Sequence, residues 1–278
     1  MTEIEYFEGL KMKSLCMIVV LLAIPAAVHP CSIFKYSVDG RTYFCGNEDW
    51  TAKDPAIQTY KANGKQYGYV LFGWRTYLPR YAQAGINSEG LCFDWAAVSS
   101  QAYLRDNGKP DVSLDVTVDV LRNCKSIDEM INYIKGYNVP HIAEEHIIFT
   151  DKAGKSCVIE YNHFKFKLIH DHTAFQFITN FHLTDPALGW YPCERYRKME
   201  AFFKEDGNKE PRLAEILDKV HQEGQYPTIY SYIFDLGRME ITVFYNHNYI
   251  IKRVYAFSKL VETNTMIDIS SSMDLGGE

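Results

Sequence analysis

Cys31 is the residue of this 278-residue chain whose position could give it unusual chemistry. It stands directly behind the long apolar run of the sequence and opens a strand-like segment, Cys31 to Tyr36. If the chain ahead of it is removed, its own α-amine becomes a base. An α-amino group titrates near ~8 and a thiol near ~8.5, so the pair can share a proton and supply thiolate at neutral pH without a histidine. Asp49 follows eighteen residues later, in Gly46-Asn47-Glu48-Asp49-Trp50, where a returning hairpin strand brings it back beside Cys31. There it can hold the α-ammonium group and orient the thiol. The plainer roles are a structural thiol or half-disulfide for Cys31, and a turn or helix-capping carboxylate for Asp49.

The run from Leu15 to Ala27 follows Lys11 and Lys13 and runs out into Pro25-Ala26-Ala27-Val28-His29-Pro30, the pattern of a secretory signal peptide. At thirteen residues it is too short for a membrane anchor, which needs about 20 apolar residues to cross a ~30 Å hydrocarbon core. A buried core helix is the alternative. Glu3, Glu5 and Glu8 fit badly in a basic leader, so the expected translation start is Met12. Ala26 and Ala27 favour cleavage beside them, and Pro30 is not the small residue that a lipid-modified cysteine requires in front of it. The expected organisation is therefore a signal peptide and short pro-segment over residues 1–30, then one catalytic domain over 31–278, exported to a periplasmic, secreted or lumenal location.

Composition narrows the function classes. With 47% hydrophobic and 23% charged residues the chain is neither disordered nor fibrous. Its net charge is −6, and its densest basic cluster is only Arg195-Tyr196-Arg197-Lys198, so nucleic acid is not an expected partner. Behind the leader remain Cys31, Cys45, Cys92, Cys124, Cys157 and Cys193, none in a Cys-x-x-Cys pair, and most are expected to be buried small hydrophobes. The histidines show no metal-ligand spacing, so neither a metal nor a cofactor is expected. A papain-like arrangement needs its cysteine at a helix start, whereas Cys31 opens a strand.

Periodicity supplies the elements that must position these groups. Cys31 to Tyr36 and Arg41 to Gly46 flank an Asp39-Gly40 hairpin signal; Ala56 to Trp74 repeats the pattern about Asn63-Gly64. Tyr81 to Ile86 and Leu91 to Val98 flank Asn87-Ser88-Glu89-Gly90. Val112 to Asn123 and Ser126 to Tyr137 turn to helical spacing, and four runs between His146 and Asn180 read as a strand meander. Pro192 to Phe203 and Pro211 to Gln222 are expected helices with proline in their first turns. Ile229 to Asp235, Glu240 to Tyr245 and Tyr249 to Tyr255 are expected strands before a short polar tail. The order predicts an α+β protein, a four-layer αββα sandwich of antiparallel sheets, with a two-layer α+β fold as the alternative.

Cys31 with Gly46-Asn47-Glu48-Asp49-Trp50, then Gly85-Ile86-Asn87-Ser88-Glu89-Gly90-Leu91, Ile178-Thr179-Asn180-Phe181-His182 and Cys193-Glu194-Arg195-Tyr196, resembles the N-terminal nucleophile hydrolases of the choloylglycine hydrolase group. That group holds bile-salt hydrolases, penicillin V acylases, acid ceramidase and related linear-amide hydrolases and acyltransferases; the spacing of the later landmarks is closer to the acyltransferases. The resemblance implies that Cys31 attacks the linear amide of a small N-acyl compound to give a thioester, which water or an acceptor then releases. It also implies Asp49 beside the α-amine, Asn180 as donor to the oxyanion, and Arg195 orienting the nucleophile or substrate. Asn47, Asn87, Asp94 and Trp95 are candidate substrate-binding residues.

The chain departs from the pattern at two points. Gly46 stands where several family members carry arginine, and Asp94 to Ala97 occupy the region of an asparagine found in bile-salt enzymes. Bile-salt specificity is therefore not expected; either Arg195 supplies the missing cation or the scaffold serves only as a binder. Homo-oligomerisation is left open by the sequence.

Overall fold

A computed structural model describes residues 31–278 apart from 113–115, 172, 190, 207–211 and 274–278. The expected leader over 1–30 lies outside the described residues. No helix among the described residues is long and apolar enough to cross a membrane.

Three hairpins open the fold: β1 (Ser32–Val38) with β2 (Arg41–Asp49), β3 (Pro55–Tyr60) with β4 (Tyr69–Trp74), and β5 (Ala84–Asn87) with β6 (Cys92–Ala97). Helices α1 (Val116–Asn123) and α2 (Ile127–Ile134) follow, then β7 (Glu145–Thr150), β8 (Ser156–Asn162), β9 (Lys165–Asp171) and β10 (Phe175–Ile178). Next come α3 (Glu194–Asp206), α4 (Leu213–Val220), β11 (Thr228–Asp235), β12 (Glu240–Tyr245) and β13 (Asn248–Ala256). The last described elements are α5 (Phe257–Leu260), β14 (Met266–Asp268) and α6 (Ile269–Met273).

The strands form two antiparallel sheets, ordered β10-β1-β2-β11-β12-β13 and β14-β3-β4-β5-β6-β7-β8-β9. Local chemistry explains the first hairpin: Asp39 and Gly40 have φ of 50° and 73°, the left-handed pair whose twist matches the strands on either side. It also explains α2, where the Ser126 hydroxyl accepts from the Glu129 N–H at 3.3 Å and Ile127, Met130, Ile131 and Ile134 form one apolar face.

Three apolar layers hold the fold, as a four-layer αββα sandwich requires. Val120, Leu121, Met130 and Ile131 pack onto Leu71, Phe93 and Phe149 of the larger sheet. Met199, Phe203, Ile216 and Leu217 pack onto Phe34, Tyr43 and Phe177 of the smaller one. Between the sheets, Phe72 lies 5.6 Å from Tyr232 and 5.3 Å from Phe234, ring centre to ring centre. Each such buried aromatic contributes roughly 1.5–3 kcal/mol by leaving water.

Two expectations are corrected. The meander does not hold its fourth strand: β7, β8 and β9 are neighbours, but β10 crosses to the other sheet and pairs with β1, Ile33 opposite Ile178. The tail is not merely polar, because Met266–Asp268 adds an edge strand to β3 and Ile269 is buried between the sheets.

Candidate active site

Hairpin register decides what faces Cys31. Ser32 pairs with Asn47, so Cys31, one residue earlier, meets Glu48, and its Sγ lies 3.6 Å from Glu48 Oε2. Asp49 sits one step further along, where its backbone N–H donates to the thiol. On the far side β11 carries a bulge between Thr228 and Tyr230, which sets Thr228 opposite Asp49 and Tyr230 opposite Glu48. The Thr228 hydroxyl donates to Asp49 Oδ1, while Asp49 Oδ2 is buried with no hydrogen-bond partner among the described residues.

Asn180 and Arg195 converge on the same strand end. Arg195 is 8% exposed, although it stands in the first turn of α3, because its side chain reaches inward rather than to water. One guanidinium nitrogen, Nη1, donates to the Cys31 carbonyl and, at 2.9 Å, to Ser32 Oγ. The other, Nη2, donates to Asn180 Oδ1 at 2.8 Å. Asn180 Nδ2 donates in turn to the Ala97 carbonyl at 3.0 Å, which ties the end of β10 to the end of β6. Cys31, Asp49, Asn180 and Arg195, far apart in sequence, are thus brought together.

The electrostatics are dominated by three carboxyl groups with no exposed surface: Glu48, Asp49 and Asp94. Burial pushes the Cys31 thiol well up, and the carboxylates of Glu48, Asp49 and Asp94 push it further. Burial also raises Glu48, reinforced by the like charge of Asp94. Asp94 is pushed up to about 7 by burial, against hydrogen bonds from Glu48, the Tyr232 hydroxyl and the Trp95 N–H. Asp49 is raised by burial, opposed by the nearby Arg195 and the Thr228 hydroxyl. Among the described residues the charged side chains that act on the thiol are all acidic, so Cys31 is held as a thiol.

The remaining sequence candidates divide. Asp94 belongs to the site: its Oδ2 accepts from the Tyr232 hydroxyl. Asn47 does not face the thiol, because strand alternation turns it to the other side of the sheet; its Nδ2 donates to the Leu217 carbonyl of α4 at 2.9 Å and its Oδ1 accepts from Ser231 at 2.7 Å. Asn87 is spent on the β5–β6 turn, donating to the Leu121 and Cys124 carbonyls and accepting from the Glu89 and Leu91 N–H groups. Trp95 alternates away from Asp94 and donates to the Ala82 carbonyl at 2.9 Å. Among the described residues the six cysteines from Cys31 onward form no disulfide, and all but Cys193 are buried.

Gly46 has a steric reason. A Cβ there would lie 2.6 Å from Tyr232 Oη and 2.7 Å from Asp94 Oδ2. The Tyr232–Asp94 pair occupies the space into which a side chain at position 46 would grow.

Glu48 and Tyr232 escaped the sequence reading, although their signal was present. Period-two alternation places Gly46 and Glu48 on one face of β2, and Tyr230, Tyr232 and Phe234 on one face of β11. A second buried group had no short motif at all. His146 Nδ1 lies 3.0 Å from Glu160 Oε1, and its Nε2 lies 2.6 Å from the Thr179 carbonyl, next to Asn180. Glu160 also accepts from the Leu183 N–H at 2.6 Å and from the Thr184 hydroxyl at 2.7 Å. Burial opposes its charge, yet His146, Thr184 and the Leu183 N–H hold its carboxyl down at about 2.

Comparisons with known proteins agree with this fold. The sequence pattern of the acyl-coenzyme A:6-aminopenicillanic acid acyl-transferase family matches residues 37–248. No curated protein sequence gives a significant match. Among solved structures, a mutant conjugated bile acid hydrolase from Clostridium perfringens superposes with a TM-score of 0.64 at 15% identity, over 86% of this chain and 96% of that one. Penicillin V acylase from Agrobacterium tumefaciens superposes with a TM-score of 0.66 at 13% identity, over 85% of this chain and 90% of that one. The fold is that of the N-terminal nucleophile hydrolases.

Proposed function

Because the chain belongs to the acyl-coenzyme A:6-aminopenicillanic acid acyl-transferase family, we propose that it is an exported cysteine amidohydrolase, an enzyme acting on carbon–nitrogen bonds other than peptide bonds. In this reading it cleaves the linear amide of a small N-acyl compound through a thioester on Cys31. One observation carries it: Arg195 reaches the carbonyl of Cys31 and Asn180 together, at the head of a strand whose return brings Asp49 beside the thiol.

The uncut chain is inert because Cys31 nitrogen is then an amide and the thiol is surrounded by carboxylates. Export processing to Cys31 frees an α-amine, for which the unpartnered Asp49 Oδ2 is a ready acceptor. The amine takes the thiol proton, and Sγ attacks the substrate carbonyl. Asn180 donates to the developing oxyanion, a contact whose loss typically costs ~10²–10³ in rate. The C–N bond then breaks, the amine leaves with the proton, and the acyl group stays on sulfur. Water releases the acid and restores the thiol. Interception of the thioester by an acceptor amine instead of water is a second reading, favoured by the acyl-transferase character of the matching family.

The test joins processing to activity. Intact mass of the exported protein is expected to begin at Cys31, and Cys31→Ala and Cys31→Ser are expected to abolish cleavage of any N-acyl amide the wild type hydrolyses. Undiminished cleavage by Cys31→Ala would exclude the thioester route.

A further inference from the structure

On the α4 side of the smaller sheet, ring nitrogens of His221 and His247 and a carboxylate oxygen of Glu223 all lie within 4.8 Å of one another. His221 follows the last turn of α4, Glu223 lies in the loop to β11, and His247 lies in the β12–β13 turn. The two imidazole rings are 4.6 Å apart, centre to centre, and His221 Nε2 lies 3.6 Å from Glu223 Oε1.

The outer hydrogen bonds are those of metal ligands. His221 Nδ1 is engaged with the Asp218 carbonyl, which leaves Nε2 to face the cluster. His247 makes a backbone hydrogen bond to Thr228, and its Nε2 is buried with no hydrogen-bond partner among the described residues. A histidine that gives one ring N–H to a backbone carbonyl is fixed in tautomer and orientation, with the other nitrogen ready as a ligand. Two imidazoles and a carboxylate suit a borderline-soft divalent ion, and three protein ligands leave a position for water. Residues 221 and 247 are too distant in sequence for any short motif to report them.

We propose that Nε2 of His221, Nε2 of His247 and the Glu223 carboxylate bind a zinc ion. The ion ties the end of α4 to the β12–β13 turn and fixes the loop between residues 221 and 228. That loop is already laced to β11: the Thr228 N–H donates to the Gln222 carbonyl at 3.0 Å, and the Gln222 N–H donates to Thr228 Oγ1 at 2.8 Å. Thr228 is the residue whose hydroxyl holds Asp49. The zinc therefore braces the carboxylate behind Cys31 without touching the reacting atoms.

The experiment uses the full exported chain carrying Cys193→Ser, stripped with chelator and then titrated with Zn²⁺ by calorimetry, with elemental analysis after dialysis. One equivalent of zinc is expected. His221→Ala and His247→Ala are expected to weaken binding by more than the roughly 10–100-fold that an outer-sphere partner alone is worth. Glu223→Gln changes an exposed side chain that the fold does not need, and is also expected to weaken binding, so the result does not hang on a variant that misfolds. Co²⁺ in place of zinc is expected to give a visible absorption band that each variant loses. Substoichiometric zinc, or one equivalent retained unchanged in Glu223→Gln and either histidine variant, overturns the site.

Discussion

Arg195 donates through Nη2 to Asn180 Oδ1 at 2.8 Å, and this bond fixes which way the Asn180 amide faces. With its oxygen committed to the guanidinium, the asparagine presents its NH₂ as donor, the role an oxyanion requires. The same guanidinium holds the Cys31 carbonyl. One cation thus holds both the proposed nucleophile and the proposed oxyanion donor, so Gly46, where several members of the resembling family carry arginine, does not leave the site without positive charge.

Asn180→Ala is accordingly expected to lower kcat by ~10²–10³ with a smaller change in KM. Arg195→Lys keeps the charge but not the planar fork, and is expected to lower kcat as well. Residues acting as one unit lose less together than the product of their separate losses. The Asn180→Ala/Arg195→Ala double variant should therefore fall well short of multiplicative, and steady-state kinetics showing fully independent effects would disprove the shared role.

The buried acids set a pH dependence of stability. Asp94 is pushed up to about 7 by burial, so between its unfolded value near ~3.9 and about 7 the folded protein binds more protons than the unfolded chain. Stability from this group is thus full at low pH and is lost as pH rises through that window. Over roughly three units the loss is on the order of 4 kcal/mol, shared with Glu48. Asp94→Asn removes the titration. Its melting temperature relative to wild type is expected to rise from pH 5 to about pH 7 and to level off above that; a difference that stays flat across the window would show that Asp94 is ionised throughout.

Much of this arrangement was legible because it depends on local signals. Asp39-Gly40 marks a hairpin through its backbone freedom, and that hairpin alone returns Gly46 to Asp49 to the neighbourhood of Cys31. The exact partner was not legible: a register set one residue differently, together with the bulge in β11, places Glu48 opposite Cys31 and Asp49 beside Thr228. Asn47 illustrates the same limit, since a motif residue one position from the site points to the opposite face of its strand. The crossing of β10 to the other sheet, and the convergence of His146, Glu160 and Thr179, depend on long-range packing that no short window of sequence records.

Gly46 offers a test of close packing. Adding a Cβ brings it to 2.6 Å from Tyr232 Oη and 2.8 Å from Tyr232 Cε1, inside van der Waals contact. Gly46→Ala is expected to cost ~1–3 kcal/mol, the usual range for overpacking a filled core. Tyr232→Phe removes one of the clashing atoms but also the hydroxyl that donates to Asp94. Denaturant titrations of the two single variants and the double variant should show a coupling, with the double less destabilised than the sum. Strict additivity would mean that the backbone at Gly46 moves freely enough to admit a side chain.

Glu160 is expected to act on catalysis from a distance. Its carboxyl anchors His146, whose Nε2 meets the Thr179 carbonyl beside Asn180. Glu160→Gln keeps the shape but weakens that anchor, so kcat should fall while KM holds, and adding His146→Ala should lower kcat little further. Stability separates this from general damage, with a sign opposite to that of Asp94. The Glu160 carboxyl is held at about 2, below its unfolded value near ~4.3, so its contribution is present above pH ~4.3 and lost as pH falls toward 2. The destabilisation by Glu160→Gln is thus expected at pH 7 and should shrink at pH 3. A cost equal at both values, with kcat untouched, would reduce Glu160 to an ordinary buried hydrogen-bond acceptor with no part in positioning Asn180.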